Sequence, residues 1–188
     1  MGTIFFEKYP EYKIVEKPSM EIIKKYKGVL PDSFIDFWKE YGFGSFMKGY
    51  LKVINPGDYQ DIFNYGYDNI DGETVFAVTG LGDFIVWTGD CMRFVNFRHG
   101  ADIIIQVNNS FDWFLNRNII DSYCINKEAK GTNYFLAREQ YGEPSFDECF
   151  GYVPLLGMGG PEKVENMEKV KIIEHIYLIA EMMGKIEG

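Results

Sequence analysis

At 188 residues, with 46% hydrophobic and 17% aromatic side chains, the chain carries enough apolar mass for a sizeable core, which excludes a disordered polypeptide. Nineteen Lys and Arg against 28 Asp and Glu leave a formal charge of −9 and a pI near 4.8. That balance argues against nucleic acid or an anionic membrane surface as a direct partner, because phosphate contacts need clustered cations, but it suits a basic protein partner.

The opening MGTIFFEKYP has no basic segment before an apolar run, and Phe6 stands where a myristoylation pattern needs Ser or Thr. No apolar stretch approaches the roughly 18 residues of a membrane span, so the expected location is the cytoplasm. Residues 1–17 show no clear period beyond a short extended piece at Ile14 and Val15. Ser19 is a candidate N-cap for a helix over Met20 to Lys27, with Ile22, Ile23 and Tyr26 on one face and Gly28 as the stop.

The stretch Leu30 to Phe46, LPDSFIDFWKEYGFGSF, is the one around which the chain is organised. Pro31, Asp32 and Ser33 suit a first helical turn, Phe34, Phe37, Trp38 and Tyr41 recur at i, i+3, i+4 and i+7, and Gly42 offers a stop. A helix this short is not stable alone, so its aromatic face must be buried against the rest of the protein. The short link after Gly28 makes it and the preceding helix a packed pair.

Gly49 to Ile54 reads as a strand ended by Asn55-Pro56-Gly57, and Asp58 to Tyr67 holds a helical turn built on Tyr59, Ile62 and Phe63, with a loop from Asp68 to Gly72. Thr74 to Val78, Asp83 to Trp87, Cys91 to Phe97 and Asp102 to Val107 are four β-rich runs separated by glycine-bearing turns, the pattern of an antiparallel meander. A helix is expected over Phe111 to Ile120, an irregular polar stretch over residues 121–133, and another helix from Tyr134 to Tyr141. An extended piece at Tyr152 to Leu156 then leads through glycines into a terminal helix from about Val164 to Met183. Its expected buried face is Ile172, Ile173, Ile176, Tyr177, Ile179, Ala180 and Met183.

The motifs of common chemistries are missing: there is no nucleophile elbow, no complete P-loop and no catalytic cysteine signature. Cys91, Cys124 and Cys149 are odd in number and widely spaced, as expected of free thiols in a reducing compartment. His99 and His175 lie outside any metal-binding spacing and read as structural or merely exposed. Gly157-Met158-Gly159-Gly160 precedes a helix as a phosphate-binding loop would. Pro161 removes an amide donor there and Glu162 repels an anion, so a tight turn is the better reading. No metal loop pattern is present and no cofactor is expected.

One feature stands out. No Lys or Arg lies between Lys52 and Arg93, yet the stretch holds Asp58, Asp61, Asp68, Asp71, Glu73, Asp83 and Asp90, interleaved with Tyr59, Phe63, Tyr65, Tyr67 and Trp87. It is either a solvated acidic face or a docking surface for a basic partner, steered by carboxylates and anchored by rings. The candidate partner-binding residues are therefore Asp58, Tyr59, Asp61, Tyr65, Tyr67, Asp68, Asp71, Glu73, Asp83 and Asp90.

The Leu30 to Phe46 block, followed by the strand and Asn55-Pro56, resembles the N-terminal part of the GAD-like domain family. Cys149-Phe150-Gly151-Tyr152-Val153-Pro154, Gly157 to Gly160, Asn166 and Glu174-His175 together resemble the C-terminal domain of the type VI secretion immunity protein family formerly called DUF1851. The helix motif alone is also similar to the SMI1/KNR4 superfamily. The resemblance implies an intracellular, non-catalytic protein that neutralises a cognate bacterial toxin, in some relatives a DNase, by stoichiometric binding. A general interaction module of the SMI1/KNR4 type is the alternative. An enzyme or ligand sensor would need a deep pocket with converging polar groups such as Asp83, Asp90, Arg93 and His99. The expected architecture is α+β, an antiparallel sheet of about four to six strands over residues 49–107, covered by the N-terminal helix pair, with a long C-terminal amphipathic helix. Modules 18–107 and 108–188 are expected to form a single compact unit over residues 1–188.

Overall fold

The computed structural model describes residues 3–68, 72–105, 111, 114–119 and 131–188. Its elements run α1 (Thr3–Lys8), β1 (Tyr12–Glu16), α2 (Met20–Tyr26), α3 (Asp32–Tyr41), β2 (Phe43–Phe46), β3 (Leu51–Val53), α4 (Pro56–Gly66), β4 (Tyr67–Asp68), β5 (Thr74–Thr79), β6 (Phe84–Trp87), β7 (Met92–Asn96) and β8 (Ala101–Ile105). A π-helical segment follows at Phe114–Ile119, then α5 (Thr132–Tyr141), β9 (Glu148–Tyr152), β10 (Met167–Lys171), α6 (Ile172–Met183) and β11 (Ile186–Glu187).

Seven strands form one antiparallel sheet in the order β1-β2-β3-β5-β6-β7-β8. The expected meander, β5 to β8, makes up one side of it and ends at the β8 edge. Successive side chains of a strand point to opposite faces, and β6 shows the division: Ile85 and Trp87 join one apolar cluster, Phe84 and Val86 the other. Every residue of β5 and β6 is buried, which is why these strands read as continuous apolar runs and not as alternating ones.

The first cluster lies under the aromatic helix. Phe34 meets Phe76 at a ring separation of 4.6 Å and Phe111 at 4.4 Å, Phe37 meets Phe111 at 4.8 Å, and Trp38 meets Tyr26 of α2 at 5.7 Å. These are edge-to-face geometries that satisfy the ring quadrupoles, and they place the helix pair on the sheet as expected. Gly42, at φ +75°, ends α3 in a conformation that a side chain would strain. The second cluster is formed by α4 and α6 on the opposite face, through Tyr59, Ile62 and Phe63 with Ile172, Ile176 and Ile179.

Several expectations are corrected. The sheet has seven strands because two lie before the expected 49–107: the edge strand β1, from residues 1–17, and β2 at Phe43–Phe46, which pairs with it. The strand expected from Gly49 starts at Leu51, since Met47, Lys48 and Gly49 all take positive φ in a tight turn. The turn expected after Asp58 is a full helix: Asn55 caps it, its side chain accepting from the Gly57 amide at 3.2 Å, with Pro56 in the first turn. Residues 167–171 are a strand and not helix. Met-Glu-Lys-Val-Lys alternates, its Met167 is buried, and it pairs antiparallel with β9, so α6 begins only at Ile172. On α6, His175 replaces Ile173, Tyr177 and Met183 among the buried residues. The helix expected over 111–120 takes the form of the π-helical segment at Phe114–Ile119, and of the polar stretch expected over 121–133 only residues 131–133 are described, with α5 starting at Thr132.

The C-terminal segment docks on the end of the sheet. The Phe150 amide donates to the Gly80 carbonyl at 2.8 Å, and a Cβ on Gly80 would overlap the Tyr134 ring. Lys52, fully buried in β3, donates from Nζ to the carbonyls of Ser145, at 2.7 Å, and Glu148.

Candidate interaction surface and the adjoining pocket

The structure separates the acidic stretch into interior and exterior members. Asp83 is fully buried: its Oδ1 accepts from Arg98 Nε at 3.0 Å, and its Oδ2 accepts from Arg98 Nη2 at 2.7 Å and Thr79 Oγ1 at 3.0 Å. Burial works against the Arg98 charge, and Asp83 more than offsets it, so the guanidinium is held above its ordinary range. Glu73 is buried beside Arg93, Oε1 to Nε 3.3 Å, and Arg93 also pairs with Asp102. Tyr67 is interior, its hydroxyl donating to Asp102 Oδ2 at 3.0 Å. Tyr59 lies in the second cluster, where burial pushes its phenol up to about 12.

Asp58, Asp61 and Tyr65 fall at i, i+3 and i+7 on the outer side of α4, and all three are exposed. Asp68 is exposed in β4 and Asp90 in the turn between β6 and β7, where the Thr88 hydroxyl donates to it at 3.0 Å and lowers its pKa. Asp71 lies outside the described residues. Thus α4 gathers three of the ten candidates on one stripe, while Glu73, Asp83, Tyr59 and Tyr67 serve the interior.

The sequence reading missed what lies beside that stripe. Tyr65 stacks on Tyr177 of α6, 5.0 Å between ring centres, and donates from its hydroxyl to Glu181. Helix α6 buries one side in the second cluster but exposes Ile173, Tyr177, Leu178 and Met182 at 45–51% of their surface. The signal was present in the sequence: Ile172 to Met183 has no Lys or Arg and more apolar positions than one buried stripe can use.

A pocket of about 580 Å³ adjoins the far end of α6, lined by Phe97 and Arg98, by Tyr152, Leu155 and Leu156, and by His175, Ile179 and Met183, among others. Two of its polar side chains, His99 and Tyr152, are engaged internally. His99 hydrogen-bonds through Nδ1 with Asn96 at 3.1 Å and through Nε2 with Glu162 at 3.0 Å, and the Tyr152 hydroxyl accepts from Asn133 at 2.8 Å. His175 packs against Gly151, and burial, with Arg98 nearby, pushes its pKa down to about 4. Of the four groups named for a catalytic pocket, His99 lines this one, Asp83 is tied to its Arg98, and Asp90 and Arg93 are not among its lining residues. No group of three or more His, Cys, Asp or Glu suited to a metal occurs among the described residues. Cys91 and Cys149 are free, and Cys124 lies outside the described residues.

Comparison with known proteins adds three findings. A family model described as the GAD-like domain matches residues 2–99, and one described as T6SS immunity protein Tdi1, C-terminal, matches residues 108–183. The fold is similar to the crystal structure of Atu4351 from Agrobacterium tumefaciens, with a TM-score of 0.82 and 17% identity over 96% of this chain and 89% of that one. No curated protein matches.

Proposed function

Since the chain belongs to the GAD-like family and carries a T6SS immunity-type C-terminal domain, we propose that it is a bacterial immunity protein that neutralises one cognate toxin by stoichiometric binding, without catalysis. The observation that carries this reading is the C-terminal match over residues 108–183. The charge supports a basic toxin: the net −9 includes Asp58, Asp61, Asp68 and Asp90 at the surface, where carboxylates steer an oppositely charged partner. A nuclease is the toxin class for which an acidic cover is most effective, because its own basic surface must hold DNA. The protein itself then needs neither nucleic acid, membrane nor cofactor, and it acts in the cytoplasm, where such a toxin would find its substrate. Among the described residues no helix is long and apolar enough to cross a membrane.

The test is co-expression with the product of the adjacent gene, with growth scored with and without this chain and pull-down at low and high salt. Growth rescue with a complex that weakens as salt rises is expected. Absence of both binding and rescue would favour the SMI1/KNR4-like interaction module instead.

A further inference from the structure

We propose that the paired outer faces of α4 and α6 form the docking surface for the basic toxin, with Tyr177, Leu178 and Met182 as its apolar contacts and Asp58, Asp61, Glu174 and Glu181 as its acidic ones. This rests on the immunity reading.

Three observations converge on that face. The first is composition: α4 and α6 together carry those four carboxylates and not one Lys or Arg. The second is the surplus of exposed apolar residues. Ile173, Tyr177, Leu178 and Met182 are about half exposed on a helix already anchored by Ile172, Ile176 and Ile179, so the fold does not need them there. At 100° per residue Ile173 and Tyr177 fall on one side of Glu174 and Glu181 and Leu178 and Met182 on the other, so apolar groups and carboxylates alternate across the face, a mixture suited to a protein partner. The third is pre-organisation. Tyr65 and Tyr177 stack at 5.0 Å and the Tyr65 hydroxyl donates to Glu181, fixing rings and carboxylate across the two helices before any partner arrives.

The chemistry selects the occupant. A helix lying on a membrane would carry Lys and Arg on its polar side, and α6 has neither. Nucleic acid would be repelled by the four carboxylates. A second copy of the same face would set those carboxylates against each other at no gain in pairing. The nearby cations are engaged: Lys171 pairs with Asp147 at 2.7 Å and Lys185 donates to the Asn64 carbonyl at 3.5 Å. A protein surface on which Lys or Arg alternate with apolar side chains meets both features.

The experiment uses the full chain and the adjacent-gene toxin, with binding read by interferometry, rescue by growth, and oligomeric state by light scattering. Leu178→Glu with Met182→Glu is expected to weaken binding about 100-fold or more, the range of truncated central anchors. Asp58→Asn with Asp61→Asn is expected to slow association about 10-fold and flatten its salt dependence. Met20→Glu, 81% exposed on α2, is the control and leaves binding unchanged. All these positions are exposed, so matching thermal melts show that the variants remain folded. Wild-type rescue that survives the Leu178/Met182 substitutions overturns this surface and leaves the immunity reading standing. A dimer dissociated by Leu178→Glu, with toxin binding intact, assigns the face to a second copy and also overturns it. No binding by the wild type overturns both.

Discussion

Lys52, in the third strand, donates a hydrogen bond of 2.7 Å to the carbonyl of Ser145, 93 residues further along the chain, and a second one to Glu148. A fully buried lysine spent on two backbone carbonyls ties the sheet of the first module to the β9 segment of the second.

Replacing Lys52 with Met leaves those carbonyls in the interior without a donor, at about 1 to 3 kcal/mol each at most. The pH dependence has a defined sign. Burial pushes Lys52 down from 10.5 to about 8, against the pull of Cys149, Asp147, Glu143 and Glu148. Between pH 8 and 10.5 the unfolded chain keeps a proton that the folded one has released, so stability rises with pH there. Below pH 8 both states are charged and the burial cost is felt in full. Urea unfolding of wild type and Lys52→Met at pH 7.5 and 10 should show the wild type gaining relative to the variant, by up to about 3 kcal/mol. A constant difference between the two would show that the buried amine does not titrate.

Asp83 and Arg98 form a bidentate pair with both side chains almost wholly buried. Removing one partner strands the other's charge. Asp83→Asn or Arg98→Met is expected to cost about 3 to 5 kcal/mol, whereas Asp83→Leu with Arg98→Met together should recover much of it. Thermal unfolding of the two single variants and the double variant decides this; equal additivity would deny the coupling.

The two modules are expected to unfold as one cooperative unit, because the Phe150 amide bonds to Gly80 and both apolar clusters draw on both modules. Calorimetry should give one transition with equal calorimetric and van't Hoff enthalpies. Gly80→Ala, whose methyl would overlap the Tyr134 ring, should lower the melting temperature or split the transition. Two transitions in the wild type would show the modules to be independent.

His175 is buried and neutral, its pKa pushed down to about 4. Between pH 4 and 6.5 the unfolded chain binds a proton that the folded chain refuses, so stability falls as the medium is acidified through that window. His175→Gln should remove up to about 3 kcal/mol of that acid sensitivity. The ring resonances of His175 should show no protonation at pH 5.5 by NMR; a shift at that pH would contradict the buried, neutral state.

Local chemistry was enough for the elements whose signals lie within a few residues. The aromatic helix at 32–41, the glycine-punctuated strands from 74 to 105 and the start of the first helix pair were legible because periodicity, caps and stops coincided. Residues 167–171 were not legible as a strand, since the Met-Glu-Lys-Val-Lys run becomes β only by pairing with 148–152. The edge strand at 12–16 likewise owes its existence to β2, as all five of its residues are exposed and supply no buried stripe.

The candidate surface divides in the same way. The acidity, the absence of cations between Lys52 and Arg93 and the surplus of apolar positions on the last helix can be read directly from the chain, for these are facts of composition. Long-range contacts in the fold turn Asp83 and Glu73 inward to Arg98 and Arg93, leave Asp58 and Asp61 outside and bring Tyr65 to Tyr177 112 positions away. A carboxylate's role depends on which cation and how much water the fold leaves beside it, and contacts between distant residues set both.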